Sequence, residues 1–326
     1  MVTLAIVLVS GMQSKAHAEQ TGGAYASELA HPVCYHASVF RLWDTREGNA
    51  MSTEILLMWA TVTAYAVSTV LFVVGVAFER AKVISFAVSA AGIGLAVHVA
   101  AVAVRWARIG RGPMLGYYEM TSKLAIIGVA LFLILVWRYR KLAPAGVAIM
   151  PVSTLLIAAA MMSPKGALNL TGTLASYWLL VHITFANLAF GAFVVSFGLA
   201  IAYVIRERAA DRAWGRSLDK LPSQEIVDHL SSRFVFAGFI FWGIMIASGA
   251  IWANEAWGSY WSWDPIETWS LVVWLIYAIY LHLRFTLGWR GEKISWVAIG
   301  AMPVALFCLA GIPLVYHTVH SGYLAG

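Results

Sequence analysis

The sequence predicts an all-α protein, a polytopic bundle of about eight transmembrane helices, and three observations predict it. First, 61% of the 326 residues are hydrophobic and only 12% are charged, whereas soluble domains carry about a quarter charged residues. The surface of such a chain faces lipid. Second, the apolar residues fall into stretches that approach or exceed the roughly 20 needed to cross a hydrocarbon core as helix. Third, Lys and Arg gather at the ends of those stretches, where they set orientation in a membrane. A net charge of +6 distributed in this way is not the clustered basic face of a nucleic-acid binder. Membrane lipid is the expected environment, with no nucleic-acid partner.

In chain order the stretches are 55–78, 83–104, 122–137, 145–162, 175–205, 234–253, 267–288 and 294–316. The third and fourth are short, and Pro144, Pro151 and Pro164 punctuate the fourth. The hydrophilic connection 206–233 is expected to be a solvated amphipathic helix on the cytoplasmic side. No internal repeat is visible, and one bundle is expected.

Alternate connections differ in charge. One set carries fourteen basic residues, among them Arg80, Arg138, Arg206, Arg233, Arg284, Arg290 and Lys293, against five in the other: Arg105, Arg108, Arg111, Lys123 and Lys165. By the positive-inside rule the first set is cytoplasmic. The loop 254–266 and the tail 317–326, neither of which contains Lys or Arg, then lie outside. This reading gives a multi-pass membrane protein with that loop and the C-terminus on the outer side.

It also makes residues 1–50 a translocated extension, distinct from the membrane domain 51–326. Ala16-His17-Ala18 after an apolar run has the form of a cleavage site but lacks a basic n-region. A signal-like segment and a natural start at Met51 both fit. His31, Cys34 and His36 are either a small metal-binding group or an ordinary loop.

Two cysteines, Cys34 and Cys308, form no CxxC, so neither a thiol redox centre nor covalent haem attachment is expected on this chain. Cys308 reads as a small core residue. Chemistry concentrates instead in residues 252–269, where five Trp and one Tyr fall within eighteen positions. An interfacial belt would need only one or two aromatics per helix end. It would not need Gly258 or Pro265, nor Asp264 and Glu267 beside the indoles. Asp264-Pro265 is a helix start, with Asp as N-cap and Pro in the first turn. The segment therefore reads as an aromatic shelf, suited to stacking on a flat conjugated ligand.

The run from Trp257 to Trp269 resembles the WWD domain of haem-handling proteins. With its continuation through Trp274 to His282, it is similar to the CcsA family, also called ResC, the membrane component of system II cytochrome c synthase. Arg105-Trp106, Gly112-Pro113, Tyr118-Glu119 and the segment Ser176 to His182 support a resemblance extending from about Met51 to Tyr323.

The resemblance implies non-covalent haem b held on a platform of Trp257, Tyr260, Trp261, Trp263, Asp264, Glu267 and Trp269. It implies two outward-facing histidine ligands to the haem iron, His182 and His320 by position. It also implies a third histidine, His282, that holds haem within the membrane. The partners implied are a CcsB/ResB-type membrane protein and an apocytochrome c, and the activity is thioether attachment at CxxCH.

Other readings of these histidines stay open. His182 also reads as a core histidine, His320 as a tail residue with His317 a rival one turn away, and His282 as a snorkelling side chain. His282 lies fifteen residues after Glu267, about 22 Å along a helix. His98 reads as core packing more readily than as a ligand.

Two departures from the family pattern matter. Ile266 stands where the family commonly has Lys, which leaves Glu255, Asp264 and Glu267 expected to be unpaired. Arg105, Arg108 or Arg111 would then meet the haem propionates. Gly322 also interrupts the family's His-Ser-Tyr at His320. A WWD-type haem protein passing quinol electrons to periplasmic multihaem cytochromes is the alternative activity, and a haem exporter without synthase activity is a third.

Overall fold

The computed structural model describes residues 32–165, 172–208 and 223–316. The chain divides into two units, Met1–Asn49 and Ala50–Gly326. Of the first, only helical backbone from Pro32 onward is described. The expected leader, His31 and the side chains of Cys34 and His36 lie outside the description.

Among the described residues every regular element is helical, and eight helices are long and apolar enough to cross a membrane. This is the architecture that lipid demands, because each helix satisfies its own backbone groups. The protein is a multi-pass membrane protein. The helices are α1 (Pro32–Ala77, with its apolar span at Asn49–Ala77), α2 (Ala81–Ile109), α3 (Tyr117–Arg138), α4 (Gly146–Met162), α5 (Tyr177–Arg208), α6 (Gln224–Trp257), α7 (Pro265–Phe285) and α8 (Glu292–Leu306). A π-helical turn at Phe307–Gly311 carries α8 into a last turn, Ile312–Val315.

The short third and fourth stretches have simple causes. α3 begins five residues before the apolar run because Tyr117, Tyr118, Glu119 and Thr121 are buried. α4 is preceded by a 3-10 turn, Arg140–Ala145, built around Pro144, because a proline lacks the N–H that a helix interior uses.

One expectation needs correction. Residues 224–233 do not belong to a separate amphipathic helix. They are the first turns of α6, which has 34 residues and is therefore about 51 Å long, well beyond the roughly 30 Å hydrocarbon core. Residues 209–222 of that connector lie outside the description.

α5 is the centre of the bundle. Its apolar window is 72% buried, against 28% for α2, α6 and α7, and it packs on α3, α4, α6 and α8. Small residues permit the close approach, as is usual between membrane helices. At Gly238 on α6 any Cβ would collide with the ring of Phe193 on α5. Phe193 in turn stacks on Tyr277 of α7, with centroids 3.6 Å apart and planes 6° from parallel. α6 and α7 are thereby fixed against α5, and the loop joining them closes one end of the bundle.

Candidate functional site

The aromatic loop is built by its own capping chemistry. α6 ends at Trp257, and Gly258 takes the left-handed conformation (φ 76°) that lets its N–H reach the Asn254 carbonyl at 3.0 Å. α7 begins at Pro265, with Asp264 accepting from the Ile266 N–H at 2.9 Å. The Glu267 carboxylate folds back over the turn and accepts from the N–H groups of Ser262 (2.7 Å) and Asp264 (3.3 Å). Negative charge at a helix N-terminus is favourable. Glu255 accepts from the Ser176 hydroxyl at 2.6 Å, tying this end of α6 to the start of α5. The expectation that Glu255, Asp264 and Glu267 stand unpaired is therefore corrected: neutral donors satisfy all three, and two of them shape the loop.

Behind the loop lies a cavity of about 170 Å³ that opens to a wider mouth. Trp252, Trp257, Tyr260 and Trp261 line it, together with Ile266, Glu267 and Ser270 from the start of α7. Opposite them are Met114, Leu115 and Gly116 before α3, and His182, Ile183 and Asn187 of α5. Trp252 and Trp257 meet edge to face, with centroids 5.2 Å apart.

His182 sits five residues into α5. Its Nδ1 is 2.9 Å from the Met245 carbonyl of α6. A carbonyl only accepts, so Nδ1 carries the proton of this bond. Histidines that bind metals are commonly oriented by such a bond to a backbone carbonyl. The ring fits because residue 249 is glycine: a Cβ there would lie 2.6 Å from His182 Nδ1.

Two polar atoms of this cavity lining have no hydrogen-bond partner among the described residues, Asn187 Oδ1 and Trp261 Nε1. Buried polar atoms without partners are rare in native structures, and an unplaced ligand or water is a common reason. A flat, largely apolar molecule with a metal centre fits this lining: aromatic and aliphatic walls for the ring system and an oriented imidazole for the metal.

The structure separates the predicted residues. Trp257, Tyr260, Trp261, Glu267 and His182 share the cavity. Trp263 does not. It is 69% exposed, held at φ 59°, and contacts Trp261 edge to face at 5.8 Å. Trp269 packs on Phe307 at 5.1 Å, and Asp264 is the helix cap.

Arg105 is not on the cavity wall either. It is 2% exposed and bonds Glu54 (3.1 Å) and Glu119 (2.7 Å), with Arg108 on Glu54 and Arg111 on Glu119. The expected propionate partners are thus members of a buried ion-pair cluster. His282 is exposed near the far end of α7, away from His182. His98 is a core histidine, with Nε2 2.8 Å from Ser122 Oγ and Nδ1 3.3 Å from the Tyr65 hydroxyl. His317 and His320 lie outside the described residues.

Trp252, the first indole of the aromatic segment, joins the cavity wall although the resemblance did not place it on the platform; sequence reasoning missed the Met114–Gly116 strap, Asn187, Gly249 and the place of Cys308 on that wall. The others carry no local signal, since only packing between α5, α6 and α8 brings them together.

The fold and site define a helical membrane protein with an aromatic, histidine-bearing cavity at one end. A family model described as Cytochrome C assembly protein matches residues 114–320, and the chain belongs to that family. It is 37% identical to "Cytochrome c biogenesis protein CcsA" of Chlamydomonas reinhardtii over 71% of this chain and 66% of that one. It is 31% identical to the protein of the same name from Synechococcus sp. (strain JA-3-3Ab), over 76% of this chain and 88% of that one. Among solved structures, "Cytochrome c Heme Lyase CcmF" superposes with a TM-score of 0.62 at 14% identity. That match covers 93% of this chain and 50% of that one, and it speaks to fold alone. The chain thus spans just under two thirds of the Chlamydomonas protein and half of the lyase.

Proposed function

We propose that the protein is the membrane haem-delivery component of a cytochrome c synthase, presenting haem at the outer face of a bacterial inner membrane for attachment to apocytochrome c. The observation that carries this reading is the His182 imidazole, held by the Met245 carbonyl at 2.9 Å on the wall of an indole-lined cavity. Non-covalent haem b supplies an iron with axial positions and two vinyl groups that accept thiols.

His182 provides one axial ligand, and His320, or its rival His317, the other. The indoles of Trp257 and Trp261 hold the ring, and the cap formed by Asp264 and Glu267 keeps that wall in place. His282, toward the cytoplasmic end of α7, binds haem before it reaches the outer cavity. At each attachment the S–H of a CxxCH cysteine adds across a vinyl group, sulfur to one carbon and hydrogen to the other, so no oxidant is required. Proximity and orientation supply most of the acceleration. A CcsB/ResB-type membrane protein is the proposed partner that holds the apoprotein.

The test is co-expression with such a partner in a strain lacking its own assembly system. The expected result is restored covalent cytochromes and a purified protein with a low-spin bis-histidine spectrum, both lost in His182→Ala. Absence of haem under haem-replete expression overturns the reading. Haem binding without any maturation replaces it with the electron-carrier activity.

A further inference from the structure

At the other end of the bundle, α6 presents His229, Arg233 and Phe236 at spacings of four and three residues, which places them on one helical face. Phe285 ends α7, and Arg290 lies in the turn before α8. With Ser232 and Arg284 these residues line a pocket of about 330 Å³. We propose that this pocket binds an anionic phospholipid, its phosphate diester held between Arg233 and Arg290 and its acyl chains laid along Phe236 and Phe285.

The charge balance points this way. Arg284 is neutralised by Asp228 at 2.6 Å and also donates to the Trp289 carbonyl at 3.3 Å. Asp228 accepts in addition from the Gly291 N–H at 3.1 Å. Asp228, which bonds Arg284 of the lining, is therefore committed. Among the described residues His229 pairs with Glu225, at 4.0 Å. Among the described residues Arg233 and Arg290 have neither a carboxylate nor a hydrogen-bond partner. Two guanidinium groups on one pocket repel each other, and a phosphate between them offsets that repulsion with charge-assisted bonds.

The apolar half identifies the source of the phosphate. Phe236 and Phe285 meet edge to face at 6.4 Å and are 48% and 68% exposed. They stand on membrane-spanning helices just inside the arginines, where acyl chains begin. Inorganic phosphate would use only the cationic half. Basic pockets between membrane helices are known binders of anionic headgroups. The inference is independent of the haem reading, because no residue is shared between the two sites.

The experiment uses the full chain in neutral detergent, with phosphatidylglycerol or phosphatidylcholine of identical chains added and bound lipid counted by native mass spectrometry. Phosphatidylglycerol should be preferred about thirtyfold (about 2 kcal/mol), the contribution of two basic residues at headgroup level. Arg233→Gln with Arg290→Gln should abolish the preference, whereas the paired Lys variants should keep much of it. Arg140→Gln with Lys141→Gln, at a separate basic cleft, should leave it intact. Equal binding of the two lipids overturns the proposal. So does a preference that survives the Gln pair or falls equally in the 140/141 control. Full displacement of lipid by inorganic phosphate would make the pocket a free-anion site and also overturn it.

Discussion

Gly249→Ala tests the histidine geometry with a single methyl group. The added Cβ would stand 2.6 Å from His182 Nδ1 and 2.9 Å from Cε1, so the ring must move. Its bond to the Met245 carbonyl is lost, at about 0.5–1.5 kcal/mol, and overpacking costs about 1–3 kcal/mol. Alanine recovers about 1 kcal/mol of helix propensity over glycine. The net loss is about 0.5–3.5 kcal/mol. In a His182→Ala background neither the clash nor the bond exists, and the same substitution should be neutral or slightly stabilising. The assay is thermal unfolding of the four proteins of this cycle in one detergent, with haem content measured on each. A coupling of about 1.5–4.5 kcal/mol is expected, the clash and the lost bond together, with haem occupancy in Gly249→Ala as low as in His182→Ala. If the two changes add within about 0.5 kcal/mol, or Gly249→Ala keeps normal haem, the imidazole is not held where the structure has it.

Arg105→Gln leaves Glu54 and Glu119 short of a partner inside the bundle and should cost about 3–5 kcal/mol, seen as loss of folded yield. Normal stability with selective loss of haem would return Arg105 to the role of propionate ligand. Asp264→Ala removes the α7 cap and should cost about 0.5–2 kcal/mol, with faster proteolysis between residues 259 and 264; an unchanged cleavage rate refutes the capping role. Trp261→Ala should lower haem retention severalfold, whereas Trp263→Ala should leave it within experimental error, because Trp263 is 69% exposed and off the cavity wall. Equal losses from both would restore the continuous five-indole shelf.

The helices were legible because lipid imposes a strong, local requirement on each one: enough consecutive apolar residues and a self-contained backbone. The α7 start was legible for the same kind of reason, since Asp264, Pro265 and Glu267 act within one turn of each other. The extent of α6 was not, because the polar residues Gln224 to Arg233 read as a connector when only hydropathy is weighed. The ion-pair partners of Arg105 were not legible either. Its charge and its place near an outer loop fit a propionate ligand, while Glu54, its partner 51 residues earlier, is joined to it only by the packing of α1 on α2. Gly249 is silent in sequence because its meaning is an absence of side chain opposite a residue 67 positions away.

The same separation of roles bears on how a transient cargo is held. Charges at the end of the bundle that carries the aromatic loop are committed to each other or to backbone: Arg105, Arg108 and Arg111 to Glu54 and Glu119, and Glu267 to the N–H groups of Ser262 and Asp264. On the haem-delivery reading, this leaves the cavity to grip the ring by its faces and the iron by His182, with no arginine clamp on the wall. The propionates must then turn to the open mouth, where water solvates them. Binding made mostly of stacking and ligation can be undone when an incoming histidine exchanges with an axial ligand. A buried bidentate arginine would instead have to give up charge-assisted bonds worth about 1.5–3 kcal/mol each. A site that must release its haem once per product is better served by the first arrangement than by the second.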